Sequence, residues 1–355
     1  MNRLFKVITL GVFVMSATTF YATENNSHPS EEQDTTQKDE AWDPVPVVMD
    51  HIKDAHDWHF FDYKDKHGHD HPVSVPLPVI LYTNGHLDIF MSSDFEHGHA
   101  QVTKGNRTYK LDHGKIIEIS GLSIIDISIT KNVAAMFISV ILLFILLRAT
   151  AKAYRRNNGV PKGLQAFLEP VILFVKDDII QQNIGKKYTK YLPFLLTVFF
   201  FILINNLLGL IPGSANVTGN IAVTFVLSFI TFVITTISGN KNYWGHIFRP
   251  PGVPVILLPI MVPIEFLGIF TKPFALMIRL FANISAGHII ILSLISLIFI
   301  AQDAMGNSGA WGVAPVSVLF VLFISLIEIL VAFLQAYIFT LLSAVFIGMA
   351  VVEEH

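Results

Sequence analysis

A permanent cation lies inside an apolar run. The stretch Ile278-Arg279-Leu280-Phe281-Ala282-Asn283-Ile284-Ser285-Ala286-Gly287-His288 sits within the apolar segment 253–300. An arginine at the centre of a membrane-spanning helix costs about 2.5–3.5 kcal/mol on insertion scales. A chain does not hold such a charge there for stability. Either Arg279 is a fixed charge facing a polar path or a partner carboxylate, or it snorkels to the interface or is held by an internal ion pair. The long apolar continuation on its C-terminal side argues against snorkelling.

Composition agrees with a membrane chain. Of 355 residues, 52% are hydrophobic and 14% charged, and the mean hydropathy is +0.56. That describes an all-α polytopic membrane protein with a soluble part attached. The formal net charge of -3 suggests no nucleic-acid partner. The absence of cysteine excludes disulfides, thiol catalysis and thiolate metal sites. Eleven of the 14 histidines precede Ile116, so two regions of different character are joined.

Arg3 and Lys6 precede an apolar stretch at 7–14, too short to span comfortably. Residues 1–22 therefore read as a signal peptide or N-terminal anchor, and the following segment as exported. Residues 23–42, with Glu24, Glu31, Glu32, Asp34, Asp39 and Glu40, read as a disordered acidic tether. Residues 43–130 read as a small β-rich exported domain. Its clearest signal is Val79-Ile80-Leu81-Tyr82, then Asn84-Gly85, then Leu87-Asp88-Ile89-Phe90, a hairpin with a tight turn. Residues 115–119 and 124–129 supply further strand candidates. His56, His59, His67, His69 and His71, interleaved with Asp57, Asp62 and Asp70, raise a metal question. No spacing there matches a defined site, a His-Gly-His-Asp-His loop also reads as a solvated turn, and no metal site is assigned. His97-Gly98-His99 carries the same ambiguity. Asn106-Arg107-Thr108 fits the glycosylation pattern, which is weak evidence at three residues.

Residues 131–355 read as the membrane domain. Apolar spans fall at 133–147, 194–211 and 221–237, followed by the long segments 253–300 and 314–352, with a polar, Gly-rich turn at 302–312 between them. That is about five passes, ending in a long helical hairpin. Residues 163–183 read as an amphipathic helix along the membrane surface. Basic residues (Arg148, Lys152, Arg155, Arg156, Lys162, Lys176, Lys186, Lys187, Lys190) follow the first span. The loop 212–220 has none, and 238–252 has Lys241 and Arg249. Basic loops stay inside, so the N-terminus is expected outside and the C-terminus inside. As one helix, 253–300 would be about 70 Å long against a hydrocarbon core of about 30 Å. It must tilt strongly, lie partly at the interface, or fold into two passes near Thr271-Lys272-Pro273. Pro254, Pro259 and Pro263 favour an irregular first part.

A helix turns 100° per residue, so positions seven apart share a face. Glu265, Lys272 and Arg279 are seven apart, with Asn283 one turn further on; His288 falls on a different surface. Folding the last two helices about residue 307 brings Gln335 level with Arg279 and Glu328 level with His288. The two pairs are then separated by roughly 10–14 Å of depth. A histidine beside a carboxylate can relay protons; the same two can also form a static buried pair. Arg279 keeps its charge under ordinary conditions. Gln335 either holds the guanidinium without neutralising it or serves as interhelical hydrogen-bond glue. Ala282, Ser285, Ala286 and Gly287 would let another helix approach closely, or serve packing within the chain. Asn205, Asn206 and Asn216 either line an outer aqueous cavity or cap helices at the interface.

The chain resembles subunit a of the rotary F-type ATP synthase, the membrane stator that carries ions past the c-ring. The likeness rests on Arg279, Leu280, Phe281, Asn283, Ala286 and Gly287, on Glu265, on the run 206–212 from Asn206 to Pro212, and on Leu334-Gln335-Ala336. It covers roughly Lys131 to the end. The resemblance implies that Arg279 faces the essential c-ring carboxylate between two offset half-channels. His288 and Glu328 would line the outer half-channel, and Glu265 would stand near the inner one. It also implies that 253–300 is a surface segment followed by one long tilted helix. Many family members carry an acid at the position of His288 and a histidine at that of Glu328; here the two are exchanged. The His-rich N-terminal region departs from the short N-terminus of most members and is assigned no role by the likeness.

The resulting expectation is an ion-translocating stator subunit of a bacterial inner membrane, with protons as the better guess for the ion. It would have no bond chemistry and no cofactor of its own. Its partners would be the c-ring, the peripheral-stalk b subunits and the lipid bilayer. The rival is a secondary proton or metal-ion transporter with a His-rich capture domain, which would usually show internal repeats and a self-contained midplane site. Neither is visible. A membrane-anchored sensor is a second rival, and it would not need Arg279.

Overall fold

The computed structural model describes residues 53–64, 70–98, 100–112, 114–156, 160–211, 213–249 and 253–351. The signal-like segment, the acidic tether, and His67, His69 and His99 lie outside these.

The N-terminal part is a set of small antiparallel sheets. β1 (Asp57–Lys64) pairs with β2 (Asp70–Pro76) as a ribbon. β3 (Pro78–Thr83), β4 (His86–Met91) and β8 (Ile124–Asp126) form one three-stranded sheet in the order β4-β3-β8. β5 (Val102–Lys104), β6 (Arg107–Asp112) and β7 (Lys115–Glu118) form another. The β3–β4 hairpin closes on Asn84 and Gly85, whose φ angles of 48° and 83° are both positive. That geometry selects the Asn-Gly pair, since two consecutive left-handed residues carry a steric cost that those two types minimise. Alternation along β3 and β4 buries Val79, Leu81 and Phe90 against Phe95, Val102, Tyr109 and Ile116. One charged cluster is enclosed with them. Arg107 donates to Asp88 through Nε and Nη2 (2.7 and 2.9 Å), and the Tyr109 hydroxyl donates to the same carboxylate (2.6 Å). The Arg107 hydrogen bonds hold the Asp88 carboxyl below the usual carboxylate range, against the opposing effect of burial.

The remainder is helical. α1 (Lys131–Arg156) is followed by α2 (Leu164–Leu173), which widens into a π-helical segment at Phe174–Gln181 and continues to Ile184. Gly185, at φ 68°, breaks the helix before α3 (Tyr188–Gly209). α4 (Ile221–Ser238) and α5 (Lys241–Phe248) come next, each capped by an asparagine: Asn220 accepts from the Ala222 amide and Asn240 from the Tyr243 amide. α6 (Leu258–Val351) is a hairpin of two helical arms that meet at Gly306, whose φ of 67° and ψ of −162° no regular helix contains. A Cβ on Gly309 would overlap the Ala301 carbonyl, so two glycines make the fold-back. Among the described residues, four helical stretches are long and apolar enough to cross a membrane: Lys131–Tyr154, Leu164–Gly209, Ile221–Ser238 and the whole of α6 with its preceding turn.

Two sequence expectations change. The proline-rich start of the long segment is not irregular: beyond a 3-10 turn at Val255–Leu257 the first arm is helical from Leu258, with Pro263 and Pro273 inside it. Membrane helices tolerate proline because neighbouring groups satisfy the freed carbonyls. The segment 302–312 is not an open turn either, since helix continues on both sides of Gly306.

The core of the helical part joins α1, α2, α3 and the second arm of α6 through Leu195, Phe199, Ile202, Ala336, Phe339 and Ala344. α2 and its continuation turn Leu168, Val175, Ile179 and Ile184 inward. Gly348 of α6 packs directly on the Asn183 carbonyl, where any Cβ would collide. Chain direction places Lys186, Lys187, Lys190 and Lys241 at the end of the bundle where Asn240 bonds the Ala350 carbonyl (3.0 Å). The β region sits at the opposite end, bonded to the start of α1 and to the α3–α4 loop.

Candidate functional site

The two arms of α6 run antiparallel and bring together residues some fifty positions apart. Asn283 Nδ2 donates to Gln335 Oε1 (3.0 Å). Glu328, buried, lays its carboxylate on Gly287, so closely that a Cβ there would overlap it. The hairpin register expected from the sequence is therefore right to within about a turn.

It departs in one respect. Gln335 binds Asn283, and no bond joins it to Arg279. Helical side chains lean toward their own N-terminus. Gln335 thus leans toward the hairpin end, where Asn283 stands one turn beyond Arg279, while Arg279 leans the other way. Arg279 is exposed and makes no hydrogen bond or ion pair among the described residues. Ala282 and Ala286, at the spacing of the same face, are exposed with it. The small residues divide: Ala282 and Ala286 face outward, whereas Ser285 and Gly287 are buried against the chain itself. Glu265 and Lys272 lie on the regular first arm at half-buried positions, and Lys272 Nζ sits 5.5 Å from the centre of the Phe346 ring. His288 is half-buried next to Gly287.

A polar nucleus fills the space behind the arms. Asn206, 1% exposed, donates from Nδ2 to the Ala332 carbonyl (3.2 Å) and accepts from the Thr218 hydroxyl (2.7 Å). Ser285 Oγ reaches the Gly219 carbonyl (3.5 Å). Asn216 accepts from the Gly219 amide (2.9 Å), and Asn205 Nδ2 donates to the Phe201 carbonyl (2.8 Å). Asn205 Oδ1 and Asn216 Nδ2 are buried without a partner among the described residues, which points to a polar occupant such as water. All three asparagines thus fix backbone, and Asn205 and Asn216 each keep one unspent polar atom. Ala332 follows Glu328 by one turn, and Ser285 precedes Gly287 by two residues, so this nucleus adjoins the Glu328 carboxylate. Thr218 and Ser285 were not singled out as hydrogen-bonding members of this nucleus from the sequence; hydroxyl residues are common in apolar helices and loops, and no spacing marks these two.

The histidines of the β region give a different picture. His56 Nε2 pairs with Asp126 Oδ2 at 2.7 Å. No group of three or more His, Asp or Glu side chains gathers among the described residues.

Comparison with known proteins adds a frame for this geometry. A family model described as ATP synthase A chain matches residues 133–348, and one described as a domain of unknown function matches residues 47–132. The chain is 49% identical over 245 residues to ATP synthase subunit a of Chloroherpeton thalassium, covering 67% of this chain and 70% of that one. It is 45% identical over 272 residues to ATP synthase subunit a of Myxococcus xanthus, covering 74% of this chain and 86% of the relative.

Proposed function

The chain belongs to the ATP synthase A chain family, and on that premise we propose that it conducts protons past the carboxylates of a rotating c-ring, coupling the proton gradient to ATP synthesis made elsewhere in the complex. One observation carries the reading. Arg279 stands on an exposed face of the first arm with no counter-charge among the described residues, flanked by Ala282 and Ala286, which leave room for a second helix. An uncompensated arginine in an apolar helix asks for an anion on a partner. A carboxylate arriving opposite Arg279 is held ionised, and the fixed charge repels protons from a direct crossing.

On the side toward the β region, the nucleus of Asn205, Asn206, Asn216, Thr218 and Ser285 leads to Gly287, His288 and Glu328, and supports an outer half-channel. On the other side of Arg279, Lys272 and Glu265 support an inner one. The offset between the two obliges a proton to ride the ring. Asn283 and Gln335 tie the arms together beside Arg279 and keep its helix in register. The chain itself makes and breaks no covalent bond in this reading. Its further partners are the peripheral-stalk b subunits and the bilayer of a bacterial inner membrane. The basic end of the bundle supports a cytoplasmic C-terminus and an exported β region.

The test is Arg279→Ala in the assembled complex, with ATP-driven pumping and passive proton permeability measured in vesicles. Pumping is expected to vanish while the complex stays intact and leak is unchanged or raised. Normal coupled pumping would return Arg279 to a structural role.

A further inference from the structure

Residues 54–60 precede the first membrane helix by some seventy positions, yet they touch two separate parts of the helical bundle. At one end, the Asp54 carboxylate accepts from the Asn132 amide (3.1 Å) and from the Thr130 hydroxyl (2.8 Å). The Lys131 amide donates to the Ala55 carbonyl (2.9 Å), and His56 meets Asp126. Asp54 thus caps α1 from outside its own sequence neighbourhood. At the other end, Trp58 Nε1 donates to the Gly213 carbonyl (2.8 Å) in the α3–α4 loop. Its ring packs on the core of the helical bundle and stacks on Phe60 (centroids 5.7 Å apart). Phe60 in turn covers Gly213, where φ is 78° and a Cβ would come within 3.1 Å of the Phe60 ring. Gly213 is both left-handed and overlaid, so no other residue fits without strain.

That loop is the wall of the polar nucleus. Within seven residues of Gly213 it contributes Thr218, bonded to Asn206, and Gly219, bonded to Ser285, with Asn216 accepting from the Gly219 amide. The 3-10 turn at Val217–Gly219 is held by the Asn216 side chain, by the Thr218 hydroxyl on Asn206 of α3, and by its contact with the α6 hairpin. A short loop of this kind has little regular hydrogen bonding of its own and takes its position from what packs on it.

We propose that residues 54–60 form a clamp between the start of α1 and the α3–α4 loop, and that Trp58 is a positioning residue for the outer proton entry. The functional half rests on the proton-conduction reading; the structural half does not. By this assignment the β region holds the loop closed over the asparagine-lined space and fixes its width.

Because the chain contains no cysteine, a single introduced thiol reports the loop cleanly. Ala215, 1% exposed, is the reporter position. Ala215→Cys is placed in the intact complex, and its labelling by a membrane-impermeant maleimide is timed in vesicles of each orientation. With Trp58 present, labelling is expected to be slow. Trp58→Ala should speed it about tenfold, the opening expected when one buried hydrogen bond and an aromatic contact are lost. Trp58→Phe, which keeps an aromatic ring but loses the N–H donor and part of the indole's packing area, should fall between, and it carries the test should Trp58→Ala fail to assemble. Equal rates in all three would overturn the clamp. Passive proton conduction, measured across external pH with the catalytic head removed, should fall by about threefold or more in Trp58→Ala and recover in Trp58→Phe, since the loop sets the entry. Faster labelling with unchanged conduction would overturn the positioning role. Labelling needs no ion flow, so normal pumping in Arg279→Ala would sink the conduction reading and leave the clamp standing.

Discussion

In the β region Arg107 meets Asp88 through two hydrogen bonds, with Tyr109 closing the third side of the carboxylate. In the helical region Arg279 meets no partner within the described chain. Both residues sit where a bare charge is costly, the first beside a sheet core and the second on an apolar helix. The difference lies in where the counter-charge is. Arg107 is satisfied internally, and its job ends with the fold. Arg279 has no such partner among the described residues, and in the proposed function the demand passes to another molecule. An arginine's partners, rather than its burial, separate a structural charge from a working one.

Exchanging the two roles is the strongest way to break the comparison. Arg279→Gln should lower ATP-driven proton pumping by about 100-fold or more, the scale on which a preorganised charge acts. Amide exchange over β3 and β4 should not change. Arg107→Gln should do the reverse, loosening β3, β4 and β6 with pumping retained in whatever complex assembles. Loss of pumping in both, or in neither, would dissolve the distinction.

A smaller effect tests whether the helical region holds its own carboxylate by packing, where the β region uses pairing. Gly287→Ala places a methyl on the Glu328 carboxylate and should cut passive conduction about tenfold through overpacking of the hairpin. Unaltered conduction would mean that Glu328 moves freely. In the β region, Asp88→Ala should cost about 2 kcal/mol of local stability by stranding its donors, read as faster exchange of the β3 and β4 amides.

The mildest effect is that of pH. The Asp88 carboxyl is depressed, chiefly by the Arg107 hydrogen bonds. Asp126 is also depressed: burial pushes it up, but the hydrogen bonds from His56 and Ser128 outweigh that. A depressed acid contributes stability above its unfolded value of about 3.9 and loses it as pH falls through the folded value. Asp54 is raised by burial, so its contribution has the opposite sign and grows as pH falls through its folded value. Corrected for intrinsic exchange, protection around residues 130–132 should rise as pH falls through the folded value of Asp54 while that of the β3–β4 amides holds; in stronger acid, as Asp88 and Asp126 protonate, the β3–β4 amides should lose protection. Loosening of both in mild acid would contradict these shifts.

How much of this was legible varies with the range of the interaction. The Asn84-Gly85 hairpin was readable because backbone sterics are local and admit few residue types. The level of Glu328 against Gly287 was readable because a helix has a fixed rise, so counting outward from a polar break gives depth. The choice of Asn283 over Arg279 as the partner of Gln335 was not, since it depends on which way each side chain leans. Pro259 and Pro263 misled because a membrane helix tolerates proline where neighbours that the sequence does not identify meet the freed carbonyls. Trp58, Asp54 and Thr218 were invisible for a different reason. Each meets a partner far along the chain or in an irregular loop, and no periodicity encodes such a meeting.

The cap that Asp54 places on α1 has a consequence for how the protein is made. The carboxylate is synthesised 78 residues ahead of the Asn132 amide it accepts from. At translation rates of about 5–20 residues per second, that is a lead of about 4–16 seconds. The Asp54 cap on α1 therefore forms once residues 54–55 have packed on 130–132, however early they were made. Hydropathy alone can deliver α1 to a membrane, but the cap on its first turn comes from a carboxylate 78 residues earlier in the chain.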